Sequence, residues 1–232
     1  MNQPLSSTGW IVLTTVILVL AFVPFDPQLA EWAQDLPEEI VAFNRTITDL
    51  GTFAWMIYTS AFLLLITFIV RRTTDRDTVQ NRARTARNLS AYFLLTIGTA
   101  SALVHGLKFL IGRARPELVA DYGAYSLTPF TGDTLFESFP SGHATAAGAF
   151  FGAFAMLMPQ LRPLFLLLAL MIGVSRVIVG AHYPSDVAAG LLLGLWVALM
   201  VAFLFASRGW LFRFDAGGWP TPKNAGRLPR GK

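Results

Sequence analysis

The chain contains no cysteine, which excludes a disulfide framework, a zinc–thiolate site and a thiol redox motif. Charge is also scarce. Asp, Glu, Lys and Arg supply 14% of the 232 residues, against about 25% in an ordinary soluble domain. Lysine is rarest of these, and Lys108 is the only one before Lys223. The acids near the motifs described below stand singly. No carboxylate cluster suggests Mg²⁺ or Zn²⁺, so neither a metal nor a cofactor is expected. The net charge of +4 is modest and collects in two short polar segments. That placement suits membrane orientation and argues against a nucleic-acid partner.

What the chain has in abundance is apolar length. Hydrophobic residues make up 54% of it. A helical span needs about 17–25 mostly apolar residues to cross the hydrocarbon core. Six stretches approach that, at 5–24, 52–70, 89–111, 143–158, 161–180 and 187–207. The fourth is short but rich in Gly and Ala (GHATAAGAFFGAFA), residues that let helices approach closely. The first nine residues carry no Lys or Arg, and no A-x-A site follows the first apolar run, so it is read as a retained helix rather than a signal peptide. The expected architecture is all-α: one polytopic membrane bundle of six transmembrane helices over 1–207. A basic, disordered cytoplasmic tail over 208–232 follows it.

The loops orient the bundle. Segment 25–51 holds one Arg, Arg45, against Asp26, Glu31, Asp35, Glu38, Glu39 and Asp49. Segment 71–88 holds six arginines, and the tail after 207 holds six basic residues. By the positive-inside rule the two basic segments are cytoplasmic and 25–51 is external. Both termini then lie inside, and 112–142 and 180–186 lie outside. Segment 25–51 also alternates apolar residues with acids, as a helix lying in the interface would.

Three polar islands interrupt this pattern, and ionisable residues within spans mark functional candidates. The first is Lys108 in HGLKFLIGRARP, followed by Arg113, Arg115 and Pro116, which closes the helix. Lys108 alone could snorkel to the interface, but three neighbouring cations require an anion. His105 is read as an ordinary helical histidine. The second is Pro140-Ser141-Gly142-His143 at the start of the fourth span. A helix start with Ser and Gly presents free N–H groups at the positive end of the dipole, which suits phosphate. The third is SRVIVGAHYPSD, carrying Arg176, His182 and Asp186. A carboxylate four residues after a histidine can fix its tautomer and leave the other ring nitrogen nucleophilic. All three islands map to the external face. They bring together cations, a phosphate-cradling helix start and two of the three histidines. That combination points to phosphoryl transfer without metal.

At these residues the sequence closely resembles the type-2 phosphatidic acid phosphatase superfamily. That family shows K-x6-RP, PSGH and SR-x5-H-x3-D. Here they are Lys108 to Arg115-Pro116, Pro140 to His143, and Ser175-Arg176 to His182 and Asp186, with every gap matched. The resemblance implies that His182 attacks phosphorus and forms a phosphohistidine. It implies that Asp186 orients His182, and that His143 protonates the leaving oxygen and then activates water. Lys108, Arg115, Arg176 and the backbone of Ser141 and Gly142 would hold the phosphate oxygens. His143 has no carboxylate partner in sequence, which suits a ring that gives up and takes back a proton near neutral pH.

The function expected is therefore hydrolysis of a lipid phosphate or diphosphate entering from the outer leaflet of a bacterial inner membrane. By resemblance the candidate substrates are undecaprenyl diphosphate, phosphatidic acid, phosphatidylglycerol phosphate and the phosphates of lipid A. Segment 117–139 would line the entrance with Tyr122, Tyr125, Phe130 and Phe136. Two alternatives stand beside this: a lipid phosphotransferase of the same fold, and a non-catalytic anion-binding membrane protein. A mere anion site has no use for the His182–Asp186 pair.

Overall fold

The computed structural model describes residues 7–74 and 76–223, with side chains from Leu13 onward. Among the described residues nine α-helices run in chain order: α1 Ser7–Phe22, α2 Asp26–Gln34, α3 Glu38–Asp49, α4 Phe53–Thr73, α5 Asp77–Ile111, α6 Val119–Tyr122, α7 Gly142–Leu157, α8 Arg162–Ile178 and α9 Pro184–Ser207. Two short strands follow, β1 Phe212–Phe214 and β2 Pro220–Pro222. Within the described residues each of the six apolar stretches is largely helical. Among the described residues five helical segments are long and apolar enough to cross a membrane: Leu13–Gln34, Glu38–Thr73, Asp77–Ile111, Pro159–Ile178 and Pro184–Ser207. The chain is thus an integral membrane protein.

The sixth apolar helix, α7, has 16 residues, which at 1.5 Å per residue gives about 24 Å, short of a hydrocarbon core of about 30 Å. It occupies the centre of the bundle. Ala144 to Ala149, Gly152, Ala153 and Ala155 are buried, and α7 packs on α9, α8 and α5. The glycines on this seam make it possible. A Cβ on Gly148 would lie 2.4 Å from the Leu191 carbonyl oxygen, and one on Gly194 would lie 2.3 Å from that of Thr145. These neighbours are backbone and cannot swing away. Gly194→Val is therefore expected to lower stability by about 3 kcal/mol or more. A fall in thermal midpoint of several degrees in detergent would show it; an unchanged midpoint would refute the close seam.

Three features depart from expectation. Segment 71–88 is not a loop. α4 continues to Thr73 and α5 begins at Asp77, so its arginines sit on helix ends that project beyond the apolar core. α5 is 35 residues long, about 52 Å. Secondly, α5 ends not at Pro116 but at Ile111. Gly112 adopts φ 63° there and its N–H caps the Lys108 carbonyl at 2.9 Å. Glycine is obligatory at this point, because a Cβ would overlap the Thr128 carbonyl oxygen at 1.9 Å.

Thirdly, the first part of the expected disordered tail is folded. β1 and β2 pair antiparallel, Phe212 opposite Pro222. Asp215 closes the turn by accepting the N–H groups of Gly217 and Trp219, each at 2.9 Å. Phe212 is fully buried, its ring 5.1 Å from that of Tyr92. Tyr92 in turn donates to the Ala198 carbonyl at 3.0 Å. Aromatic anchoring thus outweighs the turn-rich composition. Residues 224–232 of the tail lie outside the described residues.

Segment 25–51 forms two helices. In α3, Val41, Asn44 and Thr48 are buried on one stripe, which packs against α8. Phe25, Trp32, Ile40, Phe43 and Leu50 are exposed, as an interfacial helix pair requires.

Candidate active site

Four chain directions bring the motifs to one end of the bundle. α5 runs toward it and delivers Lys108 to Arg115. α7 starts there with Ser141 to His143. α8 ends there with Arg176, and α9 starts there with Asp186. The α4 end and the C-terminal hairpin, with their basic residues, occupy the opposite end.

The start of α7 abuts the start of α9. The Ser141 N–H donates to the Asp186 carbonyl at 3.0 Å, and the Ser141 hydroxyl caps the Ala144 N–H at 3.5 Å. This revises the expected cradle, because the Ser141 amide is already committed. The Gly142 and His143 amides, in the first turn, have no acceptor within the helix. Both residues are partly exposed. Lys108 is buried, at 4% exposure, so it does not snorkel. Its amine donates to the Glu137 carbonyl, and its Cε lies 3.7 Å from the position of a Cβ on Gly142. Arg115 Nε donates to the Thr134 carbonyl at 2.8 Å. Arg176 Nη1 donates to Thr48 Oγ1 at 3.0 Å, while its Nε is buried with no partner among the described residues. Lys108, Arg115 and Arg176 all exert Coulomb forces on His143. The cations expected to surround a phosphate are therefore grouped at the α7 start.

His182 is buried in the turn between α8 and α9. Its Nδ1 faces Asp186 Oδ2 at 3.6 Å, longer than a hydrogen bond, as unliganded catalytic pairs commonly are. Burial pushes the imidazole down to about 3 against the opposing pull of Asp186. The ring is therefore neutral at physiological pH. Asp186 is fully buried and well held. Oδ2 accepts the Ser138 hydroxyl at 2.6 Å and the Tyr183 N–H at 3.0 Å, and Oδ1 accepts Arg113 Nη1 at 2.6 Å.

Arg113 is the clearest departure. It does not join the cations around the anion site. Its guanidinium lies 4.2 Å over the Tyr183 ring, between Asp186 and a second buried carboxylate, Asp26, at 2.8 Å. Burial pulls its pKa down, but Asp186 and Asp26 outweigh this and keep it charged. Asp26, Ser138 and Ser185 were not singled out by sequence. Asp26 is one of six acids in segment 25–51, and no local signal separates it from the rest. His105 is exposed, with its ring 6.4 Å from that of Phe53, in keeping with an ordinary helical histidine. Of the entrance aromatics, Tyr122, Tyr125 and Phe130 are exposed. Tyr122 packs edge-on against Phe136, and Phe130 against Phe109.

Comparison with known proteins agrees with this geometry. The family model of the PAP2 superfamily matches residues 89–210. A lipid A 1-phosphatase of Rhizobium johnstonii is 39% identical over 220 residues, 95% of this chain and 89% of the relative. One from Rhizobium etli is 38% identical, covering 95% and 94%. Among solved structures, a transmembrane PAP2-type phosphatidylglycerolphosphate phosphatase from Bacillus subtilis aligns with a TM-score of 0.57 at 25% identity, covering 83% of this chain and 92% of that one. The motif residues, the helical fold that gathers them at one end and these relatives agree: the chain belongs to the PAP2 superfamily and is a membrane lipid phosphatase.

Proposed function

We propose that the enzyme hydrolyses the 1-phosphate of lipid A through a phosphorylated His182, at the periplasmic face of the bacterial inner membrane. The observation that carries the mechanism is the buried His182–Asp186 pair. Nδ1 faces the carboxylate, which leaves Nε2 as the nitrogen free to attack.

In the first step Nε2 bonds to phosphorus and the bond from phosphorus to the lipid oxygen breaks. His143 gives its proton to that oxygen. In the second step the now neutral His143 takes a proton from water, whose oxygen attacks phosphorus. The P–N bond breaks, and phosphate leaves with His182 neutral again. Lys108, Arg115 and Arg176 bind the phosphoryl oxygens, with the Gly142 amide and the Ser141 hydroxyl beside them. These fixed charges favour the transition state because they need no reorganisation.

The chain crosses the membrane six times, with α7 as a short central crossing and both termini cytoplasmic. The arginines on the α4–α5 ends and Arg208, Arg213 and Lys223 after Ser207, all opposite the site, support this orientation. The near full-length likeness to lipid A 1-phosphatases supports the substrate.

The test is a panel of lipid A, phosphatidic acid, phosphatidylglycerol phosphate and undecaprenyl diphosphate offered to purified protein. Lipid A is expected to exceed the others in kcat/KM by about 10-fold or more, with loss of the 1-phosphate only; such a margin needs only about 1.4 kcal/mol of differential transition-state binding. Equal rates across the panel would overturn the substrate assignment. Phosphate recovered on a second lipid rather than in water would make the enzyme a phosphotransferase.

A further inference from the structure

The buried carboxylate at the α1–α2 corner has no role in the steps above, yet it is wired to them. Asp26 is fully buried. Its Oδ1 accepts the Ser185 N–H at 2.9 Å. Its Oδ2 accepts the Ser185 hydroxyl at 2.5 Å and Arg113 Nη2 at 2.8 Å. Arg113 Nη1 in turn donates to Ser185 Oγ at 2.8 Å and to Asp186 Oδ1 at 2.6 Å. The Ala124 carbonyl accepts from Arg113 Nε at 3.0 Å and Nη2 at 2.7 Å. A chain of hydrogen bonds thus runs from Asp26 through Arg113 to Asp186, whose Oδ2 faces His182 Nδ1 at 3.6 Å.

Charge explains why two carboxylates serve one guanidinium. Asp186 with Arg113 alone would be neutral. With Asp26 ionised, the cluster carries one net negative charge. When Nε2 of His182 bonds to phosphorus with Nδ1 still protonated, the ring becomes a cation. A cluster at minus one then becomes neutral. Lys108 and Arg115 also act on His182, both against a positive ring, and Lys108 lies on the phosphate side, beside Gly142. It cannot serve as a counter-charge to a cationic ring.

We propose that Asp26 is a positioning residue for catalysis: acting through Arg113, it fixes the Asp186 carboxylate and keeps the His182 surroundings net negative, so that the phosphorylated ring is stabilised. This rests on the proposed roles of His182 and Asp186. Arg113 and Asp26 touch neither phosphate nor water in the reaction.

The experiment compares kcat and KM for wild type, Asp26→Asn, Asp186→Asn and the double variant in detergent, with His182→Ala alongside. Asn keeps the size of Asp26 and an oxygen for the Ser185 N–H but removes the charge. Asp26→Asn is expected to lower kcat by about 10- to 100-fold, as loss of a supporting partner does elsewhere, with KM changed less than about 3-fold. In the Asp186→Asn background the same change is expected to lower kcat by much less than it does in wild type, because the positioning part of its route to His182 is gone. A role confined to bracing α2 against α9 would change the thermal midpoint and leave kcat per folded molecule intact. Arg113→Lys serves as a second variant, because lysine keeps the charge but cannot bridge two carboxylates. It should lower kcat in the same direction and lose most of its effect in the same background.

Wild-type kcat in Asp26→Asn or Arg113→Lys, or losses that add fully to Asp186→Asn, would overturn the proposal. Activity persisting in His182→Ala and Asp186→Asn would instead overturn the reading of the site itself.

Discussion

Replacing His182 by alanine is expected to reduce phosphate release by at least about 10⁴-fold, with the protein still folded. Removing a covalent nucleophile commonly has effects of this order. Alanine has no lone pair to offer phosphorus, and no other histidine shares the turn. The ring touches solvent very little (3% exposed), and the vacancy should do little harm to helices held by the α7–α9 seam. The measurement is inorganic phosphate release from lipid A 1-phosphate in mixed micelles, with the thermal midpoint followed in parallel. Turnover within about 10-fold of wild type would remove His182 from the mechanism. Addition of imidazole to the variant is a further check. A small nucleophile entering the space left by the ring should restore part of the rate and carry the phosphate away as phosphoimidazole.

His143→Ala should separate the two halves of the reaction. The result depends on the leaving group. From a lipid monophosphate the departing oxygen is strongly basic and needs the His143 proton, so both steps slow. From a lipid diphosphate the departing group is itself a phosphate, with a second pKa of about 6, and leaves unaided. The first step then survives while water still lacks its base. The variant should release about one lipid phosphate per enzyme molecule in a burst, then turn over about 10²- to 10⁴-fold more slowly than wild type. Terminally labelled diphosphate should leave its label on the protein in an acid-labile bond. A wild-type steady state, or a variant with neither burst nor bound label, would assign the proton transfers to another group.

The two histidines were legible from the sequence because their signals are local. Ser141-Gly142 before an apolar run announces a helix start, and His182 with Asp186 four residues on announces a turn entering a helix. Each is contained within a dozen residues. The apolar runs were legible for a similar reason: a lipid solvent demands about 20 consecutive apolar residues per crossing, and the chain supplies them in blocks. Errors appeared where local signals competed with packing. The arginines of 71–88 resemble a loop by charge, yet Gln80 and its neighbours continue the helix of α5. The GGWPTP stretch resembles a linker, but Phe212 finds the Tyr92 ring and ties it down.

The Ser141 amide and Arg113 show the same limit inside the site. By position both belonged to the phosphate cradle. The amide is taken by the Asp186 carbonyl and Arg113 by two carboxylates, because α7 and α9 start side by side. No spacing rule contains that adjacency.

The sequence by itself determined that this is a polytopic membrane protein, which residues fall in the three motifs and where the basic segments lie. Hydrophobic length, motif spacing and charge asymmetry are properties of contiguous chain and survive without coordinates. Only the tertiary structure decided which of the six acids of segment 25–51 is buried beside the site. Asp26 meets Ser185 across 159 residues, when the α1–α2 corner folds over the start of α9. Burial removes water as the partner of that carboxylate and leaves Ser185 and Arg113 to satisfy it. That pairing depends on where helices end in space, which a pattern of residues along the chain does not encode.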